Sequence, residues 1–106
     1  MPTATVHIEE VSGYIGRARC FAVDPPYEGN DYVTVCVAPA FGSITLPEAM
    51  IFPATETGAC AESSLKRRPG SYVTHPGSDT DDGFRYACWL ALLMLGQPGY
   101  ELLEGS

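Results

Sequence analysis

Between Phe84 and Leu95 the chain reads FRYACWLALLML, with Arg85 as its one charged residue. Ala, Leu, Met and Arg are strong helix formers, so the segment predicts a helix. Ser78 or Thr80 can cap its start, and Asp79, Asp81 and Asp82 stand where the helix dipole is positive. Gly96 and then Pro98 stop it. Phe84, Cys88, Ala91 and Leu95 fall on one face at helical spacing. Tyr86, Trp89, Leu90, Leu93 and Met94 spread over the rest. A surface helix normally carries a polar stripe opposite its core face, and this one nearly lacks it. One helix on one small sheet buries only its inward side. The remaining apolar residues must meet the chain's own long loop, a second subunit or a different protein.

The rest of the chain supplies that sheet. Thr3 to Val11 alternates, with Ala4, Val6 and Ile8 facing one way and Thr5, His7 and Glu9 the other, the pattern of a half-buried strand. Tyr14 to Val23 reads as a second strand with Arg17 and Arg19 on one face. Residues 24–31 read as a loop, because Pro25, Pro26 and Gly29-Asn30 cannot continue a ladder. Tyr32 to Ala38 is apolar on both faces and belongs at the centre of the sheet. Ile44 to Phe52 is extended but interrupted by Pro47, as in an edge strand or two short pieces. From Pro53 to Ser78 the periodicity dissolves into a long irregular loop, a length that marks a functional or mobile segment. Ser71–Thr74 within it, and Gly99–Leu103 at the end, read as short strands. Residues 1–106 therefore predict one α+β domain. It comprises a small mixed or antiparallel sheet of about four strands packed against one C-terminal helix.

Charge narrows the partners. Thirteen acidic and six basic residues give a net charge of −7, which repels phosphate backbones and favours basic proteins. Mimicry of DNA would need an ordered array of acids, and only Asp79, Asp81 and Asp82 cluster. Charged residues make up 18% of the chain, against about 25% in ordinary domains, which hints at buried surface beyond the monomer core. The N-terminus lacks the basic and apolar regions of a secretory signal. The longest apolar run, Ala87 to Leu95, falls short of the ~20 residues of a membrane span. The expectation is a cytoplasmic protein, with Cys20, Cys36, Cys60 and Cys88 as reduced thiols.

Candidate chemistry is sparse. His75 precedes Asp79, Asp81 and Asp82, and the four could hold a divalent cation. No bidentate Glu closes such a loop, and acids at a helix start explain the aspartates equally well. A Cys60–His75 nucleophile pair has no local support, and no two cysteines have metal-knuckle spacing. No Gly-x-Ser-x-Gly, phosphate-binding loop or His-Glu-x-x-His occurs. The sequence thus offers no catalytic residue and no cofactor site. Lys66-Arg67-Arg68 is the lone basic run, read either as a solvated loop or as a contact for an acidic partner or phosphate.

Met50-Ile51-Phe52-Pro53-Ala54-Thr55-Glu56-Thr57-Gly58, then Pro69-Gly70-Ser71-Tyr72, an acidic helix start and Gly99-Tyr100-Glu101 resemble short uncharacterised accessory proteins of actinobacteria and their bacteriophages. The likeness begins at Val33. The chain departs from it where Asp81-Asp82 stands in place of Asp-His, and at Ala59-Cys60-Ala61. The resemblance implies a sheet-plus-helix fold and a bacterial or phage cytoplasmic setting, and it carries over no catalytic residue. The expected function is a non-enzymatic protein-interaction module. It would bind a protein partner, or a second copy as a dimer, through Tyr86, Trp89, Leu90, Leu93 and Met94. The alternative is a small metal- or ligand-binding protein using His75, Asp79, Asp81 and Asp82.

Overall fold

The computed structural model describes residues 1–38, 47–74, 77–78 and 80–103. Its strands are β1 (Thr3–Ile8), β2 (Arg17–Tyr27), β3 (Asn30–Ala38), β4 (Glu48–Ala54), β5 (Val73–Thr74) and β6 (Glu101–Leu102). The helix α1 (Asp81–Leu93) lies between β5 and β6 in sequence. The strands form one sheet in the order β5-β4-β3-β2-β1-β6. Every neighbouring pair is antiparallel except β1 and β6, which run parallel. The four long strands are those the alternation predicts, and two-residue strands flank them.

Strand β3 is central, as its doubly apolar pattern requires, and pairs with β2 and β4 over its length. One face of the sheet carries Phe21, Val33, Val35, Val37, Ala49 and Ile51, and α1 covers it with Phe84, Ala87, Cys88, Ala91 and Leu92. Thr80 caps α1, its hydroxyl accepting from the Gly83 N–H at 3.2 Å. The chain leaves the helix through Gly96 at φ +102°, a conformation that favours glycine.

Three expectations change. Strand β2 runs to Tyr27, through both prolines. The reason for expecting a loop still holds locally: Pro25 and Pro26 have no partner on β1 or β3, and the register with β3 shifts between Ala22 and Tyr27. Pro53 sits inside β4 opposite Val33. Its carbonyl accepts from Ala61 N–H on the outer edge at 2.9 Å, so its missing N–H faces that edge and β3 loses no bond. In β1 the register shifts between Val6 and Ile8. Val6 pairs with Phe21 on the helix side, whereas Ile8 pairs with Cys20 on the opposite face, so the expected Ala4–Val6–Ile8 face is broken by a bulge at His7.

The described part of the long loop does not cover the outer line of α1. Its first part folds under the sheet face opposite the helix. There the Gly58 carbonyl accepts from the buried Thr34 hydroxyl and from Tyr14, each at 2.9 Å. His7 Nε2 donates to the Glu56 carbonyl at 2.8 Å and its ring lies 4.5 Å from that of Tyr32. The loop then rounds the β4 edge, where Tyr72 N–H meets the Ala49 carbonyl, and touches α1 at Ala91 through Gly70.

Candidate functional site

The inward stripe of α1 is fully buried: Phe84, Cys88, Ala91 and Leu95 are each 0% exposed. The outward stripe is not. Tyr86 is 44% exposed, Trp89 42%, Leu93 37% and Met94 48%. Leu90 is half-buried. Residues 86, 89 and 93 stand three and four apart, so they form a second apolar line along the helix. The Tyr86 and Trp89 rings lie 5.6 Å apart at 36°.

A groove of about 1070 Å³ opens between this line and the β1 side of the sheet. From α1 it is lined by Tyr86 and Trp89, from the sheet by Val6 and Phe21, and from the chain after β6 by Leu103. Glu9, Arg19, Asp82 and Arg85 add charge of both signs. Arg19 is held in place by its Nε donating to the Glu9 carbonyl at 3.0 Å and by the Phe84 ring, 4.9 Å from its guanidinium. The groove exists because α1 leaves the end of β1 uncovered: Val6 is 47% and Leu103 43% exposed. Alternation correctly gives Val6 the helix side, but no sequence signal tells how far across the sheet the helix reaches. Val6 and Leu103 were therefore missed.

The other sequence candidates fare differently. His75 and Asp79 lie outside the described residues. Asp81 is engaged by Arg17, whose other amino group bonds Glu10, both at 2.8 Å, and Asp82 is exposed at the groove. Among the described residues no cluster of His, Cys, Asp or Glu can hold a metal ion. The basic run is not a patch. Arg68 is buried and paired with Glu28 and Glu62, and Arg67 lies over the Tyr72 ring at 5.0 Å. Burial pushes the Cys88 thiol up to about 12 and raises Cys20 and Cys36, so these sulfurs stay protonated and unreactive near neutrality. Cys20 and Cys36 sit on adjacent strands in diagonal register, with Cys36 opposite Ala18 and Cys20 opposite Thr34.

Among the described residues no helix is long and apolar enough to cross a membrane. The sequence matches no family model, and neither the curated proteins nor the solved structures contain a match to it.

Proposed function

We propose that the chain is a non-enzymatic protein-interaction module whose binding surface is the outer line of α1, with Trp89 as its anchor. The observation that carries this is the placement of Tyr86, Trp89, Leu93 and Met94 in partial contact with water, while the described part of the long loop packs under the sheet and at the β4 edge. An apolar line with a central tryptophan is how protein interfaces concentrate binding energy. The occupant is a different protein of neutral or basic character. Each copy carries −7, so two copies repel, whereas a basic partner is drawn in.

A photo-crosslinking residue placed at Leu93, in the cells that make the protein, tests the reading. A discrete adduct should form there, be absent when the probe stands at the exposed Ile15, and disappear with Trp89→Ala. An adduct of twice the monomer mass would assign the surface to self-association instead. No adduct from Leu93, or the same adducts from both positions, would remove the reading.

A further inference from the structure

The long loop carries a tip that the fold does not use. Residues 63–67 belong to no strand or helix. Ser63, Ser64, Lys66 and Arg67 are exposed, and Leu65 is 52% exposed. No backbone–backbone hydrogen bond joins this stretch to another described residue. Its two ends are fixed. Before it, Cys60 pairs with Ala54, and the Ala61 N–H donates to the Pro53 carbonyl at 2.9 Å. After it, Arg68 is buried against Glu28 and Glu62, and its N–H donates to Ser71 Oγ at 3.0 Å. An exposed tip between fixed ends can be drawn into a protease cleft by local opening, without unfolding of the rest.

The tip also holds the residues that one class of protease reads. The chain has six basic side chains. Arg17 and Arg19 lie in β2 and Arg85 in α1, where hydrogen-bonded backbone cannot extend into a cleft. Arg68 is buried and precedes Pro69, whose nitrogen carries no N–H and makes that bond a poor substrate. Of the six, Lys66 and Arg67 alone stand exposed in backbone outside any strand or helix. We infer that the tip is a single-cut site for proteases that cleave after basic residues, and that the cut product stays assembled. Water adds across the Lys66–Arg67 peptide bond, leaving a carboxylate on Lys66 and an amino group on Arg67. The Lys66 carbonyl must first leave Arg68 Nη1, which donates to it at 3.1 Å. That is one hydrogen bond, a small cost beside unfolding the sheet.

The cut divides the chain between a piece with β1 to β4 and a piece with β5, α1 and β6. The contacts between the two do not run through the tip. Phe84, Ala87, Cys88, Ala91 and Leu92 pack on the sheet, β6 pairs with β1 and β5 pairs with β4. After cleavage the helix that carries Trp89 is held to its sheet by association and no longer by a shared chain. Its hold then depends on concentration, so the cut makes that surface releasable. This inference is independent of what binds the outer line of α1.

The experiment treats the intact protein with trypsin under native conditions and reads the products by mass spectrometry. The first products should be residues 1–66 and 67–106. They should elute together at the parent's volume from a native sizing column and separate in denaturant. Low urea should leave the rate of this cut unchanged, because the cut needs only local opening. Cuts at Arg17, Arg19 and Arg85 should follow global unfolding. The urea midpoint of the cut protein should fall on dilution, and that of the parent should not. Lys66→Gln combined with Arg67→Gln should resist cleavage for as long as the parent takes to be cut to completion, with the parent's urea midpoint.

A first cut at Arg17, Arg19 or Arg85 overturns the site. So does a tip left whole until the protein unfolds, or a cut at Lys66 whose rate rises with urea in step with unfolding. Pieces that part on the native column, or a cut protein whose midpoint ignores dilution, overturn the assembled product.

Discussion

Gly70 lies so close to Ala91 that a β-carbon there would come within 2.6 Å of the Ala91 carbonyl oxygen. This is one place where the long loop meets α1, on the flank away from Trp89. Gly70 also has φ +88°, which L side chains rarely adopt. Gly70→Ala should therefore destabilise the fold by about 2 kcal/mol, from backbone strain together with a clash that neither backbone can relieve cheaply. Gly29, at φ +78° with nothing within 4 Å, is the control. Gly29→Ala meets strain without a clash and should cost about 1 kcal/mol. Equal urea midpoints for the two variants would show that the loop does not bear on the helix at Ala91.

The two faces of α1 predict opposite mutational signatures. Phe84 is 0% exposed, beneath the Arg17 and Arg19 guanidinia at 4.5 and 4.9 Å. Phe84→Ala should cost about 3–5 kcal/mol of folding stability. Trp89→Ala, at a half-open site, should cost about 1–2 kcal/mol of stability and about 2–4 kcal/mol of association with a partner. Denaturation curves for both, set beside the crosslinking, separate a core tryptophan from an interface one. A stability loss at Trp89 as large as that at Phe84 would place it in the core.

Arg68 joins the end of the β2–β3 hairpin to the long loop through Glu28 and Glu62, with its side chain only 4% exposed. Among the described residues, Glu62 Oε2 and Arg68 Nε are buried without a hydrogen-bond partner. Removing one member of such a pair strands the other, so Arg68→Met alone should cost about 3–5 kcal/mol. Arg68→Met combined with Glu62→Leu should recover much of that loss, because a fully apolar replacement strands no charge. A double variant as unstable as the sum of the two singles would show that Arg68 and Glu62 are not coupled and that no stranded charge underlies the loss.

How much of this was legible depended on whether the cause was local. The Phe84–Cys88–Ala91–Leu95 stripe, the Thr80 cap, the Gly96 stop and the central place of β3 follow from periodicity and capping, which act over a few residues. The outer line of Tyr86, Trp89, Leu93 and Met94 was legible as a surplus, because a thin sheet shields one side of a helix. What covers it was not. The loop's path is fixed by Thr34 and Tyr14 reaching Gly58 from 24 and 44 residues away, and no local pattern encodes that. Arg68 looked like part of a basic surface because its acids, Glu28 and Glu62, are distant or unremarkable in sequence. The groove depends on where α1 ends relative to β1, a matter of packing geometry that leaves no mark on the alternation of Val6.

Alkali should unfold the protein through groups that burial holds neutral. Desolvation raises the Cys88 thiol from 9.0 to about 12. It does the same to the Tyr27 phenol, from 10.0 to about 12, with Glu28 adding to the shift. Both folded values lie above the unfolded ones, so between them the native state binds more protons than the unfolded chain. Stability then falls as pH rises. The contribution is fully present below pH 9 and is lost progressively as pH climbs towards about 12. Denaturation midpoints should be flat up to the thiol's ordinary range and decline beyond it. Cys88→Ala should make the first part of that decline shallower, and Tyr27→Phe the part beginning one unit higher, whatever either does to stability at neutral pH. A parent protein whose midpoint stays level through this window, or a Cys88→Ala variant that declines as steeply as the parent, would mean that the thiol beneath α1 is open to water and that the helix does not seal this side of the core.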